Sequence, residues 1–517
     1  DNSFVPPRTI VFGDLFAGER VSNRIEVESY TARFSGRTSY ELSPRIAANT
    51  AVGGEFNREL FQGTYASATG LLDGTRSLNA GTDNFSVSEA FTDVRTLAGW
   101  VEQRIAFDDR LYLNAALRAD DDNAFGDEFD LIWYPSLSVS WVMDEEGWFP
   151  QTEALSGLRL RGAVGRAGLR PGFRDAAFFL SPQTVNVDGG NEPGFSIGGS
   201  GNPDLRPEIV TEYEFGFDAD LLDDRVGLEA TYFYKASEDA LVSRRLAPSL
   251  GATTTRFENL GEVVNQGFEF GVDVGVIDRP GFLLDLGVSG SFTDNELKDL
   301  GGVEPIIFGL GGDSQRHQEG YPLGGYWGRT ITELNVPDEG PVTLDDITLS
   351  EEADFIGSAL PTREFSFNLD AQLFDQFAVS ALVDHQGGHY LFNSTREFRC
   401  LSFLNCQEVY DPDADPMAQA QALVGLFEGV PSAFVEPADF TRLRELSLTY
   451  TVPDDIVGRL GADALRITLA GRNLATWTDY SGLDPELNFA GQANFSTADF
   501  LTQPPLRYYT VRLSVDF

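Results

Sequence analysis

The chain has 517 residues, 42% of them hydrophobic and 12% aromatic, with a mean hydropathy of -0.18 and a formal net charge of -43. This composition excludes a disordered chain, and the lack of any apolar run of about 18 residues excludes a transmembrane helix. The charge argues against a nucleic-acid partner: Lys235 and Lys298 are the only lysines, and no basic stretch could track a phosphate backbone.

A membrane remains open, because a spanning β-strand needs only about 9–11 residues of alternating polarity. The opening DNSFVPPRTIVFG has neither the basic segment nor the apolar core of a secretory signal. Residues 1–23 read as an extracellular lead-in, and SGRTS at 35–39 reads as a tight turn. Alternation then recurs along the chain. Leu111, Leu113, Ala115 and Leu117 alternate with Tyr112, Asn114 and Arg118; Leu137, Val139 and Trp141 alternate with serines. In DDRVGLEATYFYKASED, Val226, Leu228 and Ala230 oppose Gly227, Glu229 and Thr231. The same pattern sets Phe268, Phe270 and Val272 against Glu269 and Asp273, and Phe365, Phe367 and Leu369 against Ser366, Asn368 and Asp370. It ends with Ile467 against Arg466, and Val511, Leu513 and Val515 against Arg512, Ser514 and Asp516. About fifteen such segments are long enough to cross a bilayer. Helical spacing is nearly absent; residues 414–428 read as a short loop helix.

Connections alternate in length. Short turns at 107–110, 221–225, 277–281 and 374–376 separate long polar excursions at 166–208, 294–362, 388–438 and 476–506. Structureless stretches of that size count against a compact soluble domain, whereas an outer-membrane barrel has short periplasmic turns and long extracellular loops. In a barrel the apolar face meets lipid and the polar face lines a wet lumen. Leu228, Phe270, Leu369, Ile467 and Leu513 are thus expected against lipid, and Glu229, Glu269, Asp370, Arg466 and Arg512 in the lumen. Aromatics near strand ends, such as Trp133, Tyr134, Tyr232 and Tyr234, fit interfacial girdles. The fold class is all-β: an antiparallel transmembrane barrel over residues 24–517.

Cys400 and Cys406, close together in a loop, suit a disulfide of an oxidising compartment better than a metal site that lacks two ligands. Oxygen-rich loops offer Asp120, Asp121, Asp122, Asp127, Glu128 and Asp130, then Asp411, Asp413 and Asp415. Of these Asp120, Asp122, Asp411 and Asp413 are weak Ca²⁺ candidates, without the spacing of a defined calcium loop. His385 and His389 are four apart, but on a strand running into a Gly-Gly turn they share no face. Asp484 and Glu486 resemble an acid pair for glycoside chemistry, yet two residues apart in an extended loop they cannot flank a bond. No catalytic set and no cofactor site emerges.

Several stretches carry a family resemblance. NPDLRPEIVTEYEFGFDADLLDDRVGLEATYFYK resembles TonB-dependent outer-membrane receptors. LRLRGAVGRAG, EGYPLGGYWG, FTRLRELSLTYTVP and LRITLAGRNLATWTDYSGLDPELN resemble more narrowly the SusC/RagA group of TonB-linked transporters. The terminal VRLSVDF ends in Phe517, as do substrates of the barrel-insertion machinery. The resemblance implies import of an oligosaccharide or oligopeptide, energised by TonB through a plug domain, under a SusD-like surface lipoprotein, amid outer-membrane lipid and lipopolysaccharide. No plug domain is found in the chain, which leaves a passive porin-like channel and a structural surface protein as alternatives. Counting also bears on this. A path descending from outside and ending in the periplasm at Phe517 crosses an odd number of times, whereas such barrels are even. About fifteen strands of a 22-stranded barrel would form an open sheet with two edges.

Overall fold

The computed structural model describes residues 2–5, 9–11, 14–16, 18–72, 74–125, 131–150, 152–246, 255–312, 314–491 and 495–517. Fifteen long strands form one antiparallel meander in which sequence neighbours pair throughout. They are β1 (Glu19–Ser43), β2 (Ile46–Thr69), β3 (Asp83–Phe107), β4 (Leu111–Asp122) and β5 (Ile132–Val142). Next come β6 (Gly157–Leu169), β7 (Glu208–Leu221), β8 (Val226–Arg245), β9 (Thr255–Arg279) and β10 (Phe282–Asp299). The last are β11 (Arg363–Leu373), β12 (Phe377–Gly387), β13 (Phe440–Thr451), β14 (Ala464–Thr478) and β15 (Tyr508–Asp516). A short strand, Asn2–Val5, pairs with the start of β1. Among the described residues the sheet does not close: β15 pairs with β14 alone. No helix of the described residues is long and apolar enough to cross a membrane.

Turn chemistry sets the short end of the sheet. Asp108 and Asp109, with φ of 47° and 55°, are the left-handed pair of the turn between β3 and β4, which the Arg110 amide closes on the Phe107 carbonyl. Phe374 and Asp375 do the same between β11 and β12, and Phe374 packs edge-on against Phe282. Gly281, at φ 77°, closes β9 onto β10.

The SGRTS turn expected at 35–39 is not a turn. Gly36 to Ser39 continue β1, paired with Val52 to Asn49, and the chain reverses at Pro44 and Arg45. Small polar residues resemble a turn locally, but here they lie in a continuous antiparallel ladder with β2. The direction of β1 is unchanged, from the long-loop end to the short-turn end. The loop helix is present as α3 (Pro416–Glu428), capped by Asp415 at its start and by Gly429 at φ 63°. Two shorter helices precede it: α1 (Ser394–Leu401) and α2 (Gln407–Tyr410).

Burial is concentrated outside the sheet. Tyr326, Phe392, Cys400, Cys406, Ala422, Phe434 and Ala498 form a compact core at the long-loop end, drawn from three separate excursions. The wall itself keeps large apolar residues exposed, among them Phe215, Phe367, Leu469 and Leu513. That is the arrangement of a surface whose solvent is lipid.

Candidate functional site

Register brings distant residues into rows. One row runs Arg159, Asp218, Glu229, Gly271, Ser289, Ser366, Asp384 and Arg442 across β6 to β13. The row above it runs Arg161, Gly216, Thr231, Glu269, Ser291, Glu364 and Gln386. Residues from six of these strands border one cavity of about 560 Å³, which identifies their side of the sheet as the concave, lumenal one. Leu228, Val272, Val288 and Phe367 share the opposite face.

Two glycines permit the packing of these rows. A Cβ at Gly216 would lie 2.6 Å from the Ala230 carbonyl oxygen and 3.1 Å from the Arg161 guanidinium carbon. A Cβ at Gly271 would lie 2.6 Å from the Glu229 carboxylate. Arg159 and Arg161 both reach Asp218, their Nε atoms donating at 2.6 and 3.2 Å. Among the described residues Glu229 and Glu269 have no ion-pair partner, and the buried Thr231 hydroxyl faces the same cavity without a hydrogen bond.

At the β13 end of the first row, the last long loop folds back onto the wall. Arg442, 1% exposed, donates from Nη2 to both Asp484 carboxylate oxygens at 2.7 Å, and its Nη1 lies 2.6 Å from Glu486. Arg444 donates to Glu486 at 2.8 Å and to Asp384 at 2.7 Å, while the Ser366 hydroxyl donates to Asp384 at 3.0 Å. Arg442 and Arg444 both reach Glu486, and the ladder with β14 shifts register beside them in a β-bulge between Leu443 and Glu445. Burial pushes the Glu486 carboxyl up, but the Arg444 hydrogen bond and both guanidinium charges outweigh it and hold it below the ordinary range. His389, buried beside this cluster, is pushed down by desolvation, and its Nδ1 has no partner among the described residues. His385 instead meets the Thr441 hydroxyl at 3.1 Å.

The same loop also joins the cap. Buried Tyr326 donates to the Thr497 carbonyl at 2.6 Å and accepts from the Phe392 amide at 3.2 Å. Gln315 donates to the Gly324 and Phe495 carbonyls at 2.8 Å and accepts from the Thr497 amide at 2.9 Å. Asp499 accepts from Tyr480 at 3.1 Å and Thr395 at 2.9 Å; burial nevertheless pushes its carboxyl up. Loops 300–362, 388–439 and 479–507 are therefore one body. The Cys400–Cys406 disulfide lies in its core, with Cα atoms 4.9 Å apart.

The calcium candidates are dispersed. Asp120 accepts from Arg118 at 2.7 Å, and buried Asp122 accepts from Thr96 at 2.6 Å. Asp411 accepts from the Asp413 amide at 3.0 Å, whereas Asp127, Glu128 and Asp130 lie outside the described residues. Among the described residues the one group of three ligand-type side chains close enough to share an ion is Cys400, Cys406 and Glu408, whose cysteines are bonded to each other. The acid pair Asp484 and Glu486 is engaged by arginines forty residues away; only the polar parity of TRLREL hinted that such partners existed.

Residues 7–474 match the family model described as TonB dependent receptor-like, beta-barrel. The chain belongs to that family. Its sheet accordingly lies in the bacterial outer membrane, with the arginine-latched loop on the outer side. TonB-dependent receptor P26 of Formosa agariphila is 26% identical over 417 residues, covering 74% of this chain and 41% of the relative. TonB-dependent receptor SusC of Bacteroides thetaiotaomicron is 23% identical, covering 70% and 38%. A solved RagAB peptide importer in its open-open state superposes with a TM-score of 0.81 at 19% identity, over 100% of this chain and 57% of that one. The chain thus spans about half the length of the curated relatives it matches.

Proposed function

We propose that the chain forms most of the barrel wall of an energised importer of oligomeric nutrients, an oligosaccharide or an oligopeptide. The observation that carries this reading is the pair of lumenal rows, where hydroxyls, amides and the un-neutralised Glu229 and Glu269 face a shared cavity. Such a wall offers hydrogen bonds along its length to a hydroxyl- or amide-bearing chain. Further strands and a plug would complete the barrel, and TonB would act through that plug. A SusD-like surface lipoprotein would sit over the cap, and Phe517 would serve as the insertion signal. The role is transport without catalysis: the one carboxylate pair that looks enzymatic is held by Arg442 and Arg444. An open sheet argues against a passive pore made of these strands alone, since its edges would leave backbone groups unpaired in lipid.

The test is uptake of fluorescent oligosaccharides and oligopeptides by cells expressing the full reading frame with its neighbouring lipoprotein. Uptake abolished by a protonophore supports the importer. Uptake that persists without the proton gradient overturns it in favour of a passive channel.

A further inference from the structure

A second lumenal cavity, of about 550 Å³, adjoins the first and shares Arg161, Thr231 and Glu269 with it. Three successive rows of β7 to β9 build it. In the first, Gly216, Thr231 and Glu269 stand opposite one another. Two residues along each strand the same face carries Glu214, Phe233 and Gly267, and two further on Glu212, Lys235 and Asn265. Phe233 breaks the pattern: it is an aromatic ring on the polar parity of β8, at the centre of the array. Glycine opposite makes room for it. A Cβ at Gly267 would lie 2.7 Å from the Phe233 ring and 2.2 Å from the Phe292 carbonyl oxygen.

The charges of this array are uncompensated. Among the described residues Glu212, Glu214, Glu269 and Lys235 have no ion-pair partner, and Arg161 is already engaged by Asp218 at 3.2 Å. Three carboxylates thus stand against one free cation, in a cavity whose walls concentrate their field. Thr231, only 8% exposed, opens a buried hydroxyl on the same space, without a hydrogen-bond partner among the described residues. Carboxylates around an aromatic face suit an organic cation. The ring attracts ammonium or guanidinium, and the carboxylates and hydroxyl accept its N–H groups. A neutral oligosaccharide brings no such group. An amino-oligosaccharide brings cations alone and leaves Lys235 unanswered, whereas a peptide with basic side chains also brings a carboxylate. We infer that the array is a cargo subsite for a basic oligopeptide, with a lysine or arginine side chain over Phe233 between Glu214 and Glu269. A carboxylate of the same peptide pairs with Lys235.

The assignment rests on the importer reading and refines its cargo. Calorimetric titration of the full-length protein in detergent tests it with an uncharged Gly/Ser octapeptide, its lysine- and glutamate-substituted forms, and a deacetylated chitosan hexamer. The lysine peptide is expected to bind about tenfold tighter than the uncharged one, and the glutamate peptide more weakly than either. Glu212→Gln with Glu214→Gln should bring that ratio below about threefold, and Phe233→Leu should lower it about threefold. Asp454→Asn with Asp455→Asn removes as much charge from the exposed turn between β13 and β14 and should keep it. Amidating the C-terminus of the lysine peptide should weaken its binding to the unaltered protein but not to Lys235→Met. Heat-modifiable gel mobility checks that each variant is folded. Equal binding of the three peptides, tighter binding of the chitosan hexamer, a ratio unchanged in the Glu212, Glu214 variant, or amidation without effect would each overturn the subsite. The same peptides in the protonophore assay keep the two readings apart. A lysine preference with uptake that ignores the proton gradient leaves the subsite standing and refutes the importer; gradient-driven uptake without the preference does the reverse.

Discussion

The wall and the cap are stabilised by different means. In the wall, strands run as long as 25 residues, and few side chains are buried. Strands of that length rise about 80 Å, well past the roughly 30 Å hydrocarbon core of a bilayer. In the cap, three excursions with little regular structure share an apolar core, a disulfide and a chain of buried hydrogen bonds through Gln315, Tyr326 and Asp499. The wall therefore depends on its solvent being lipid, and the cap depends on its own packing. Arg442 and Arg444 sit where the two meet, on a wall strand but bound to carboxylates of a loop.

The largest effect is expected at that junction. Arg442→Ala removes a buried cation and leaves Asp484 and Glu486 facing each other, a class of change that costs about 3–5 kcal/mol. Hydrogen exchange should rise across residues 479–491 while β11 and β12 stay protected; a uniform rise across both would mean the two regions are one cooperative unit. Next comes the wall's dependence on lipid. Phe367→Arg, on the lipid face, should cost about 2–4 kcal/mol, and Ser366→Arg, on the lumenal face, much less. Urea unfolding from lipid vesicles measures both, and equal costs would break the assignment of faces.

Loss of the disulfide should act on the cap alone. Cys400→Ser with Cys406→Ser closes no loop in the unfolded chain, worth about 2 kcal/mol for so short a loop. Protease cleavage within 394–428 should speed up without change in the heat-modifiable mobility of the wall. The smallest effect is acid loosening of the cap. His317, packed between Phe308 and Phe495, is pushed down to about 4 by burial. A depressed pKa means the unfolded cap binds the proton first, so this contribution is full above about 6.5 and fades as pH falls toward 4. Glu486, also depressed, fades in the same direction below the ordinary carboxylate range. Protection factors at Gln315 to His317, taken relative to the intrinsic exchange rate at each pH, should thus fall between pH 6.5 and pH 4, and His317→Phe should flatten the upper part of that profile.

Alternation and turn residues determined a great deal by themselves. Period-two patterning has one structural solution at each strand, so the fifteen crossings, their faces and the inside and outside ends were all legible in the chain. So were the disulfide partners, six residues apart in one loop, and the helix after Asp415. What the sequence could not determine was anything needing a partner distant along the chain. SGRTS has the composition of a turn and becomes strand because β2 pairs with it throughout. Asp484 and Glu486 look like an acid pair and become anchors because β13 presents Arg442 and Arg444 to them. Register assembled Glu229, Ser289, Ser366 and Asp384, spread over about 150 residues, into one row. The strands are local in cause, since polarity alternation acts residue by residue. The cap and the lumenal rows are not, because which loops pack and which residues stand opposite one another is settled only when the sheet curves and the loops meet above it.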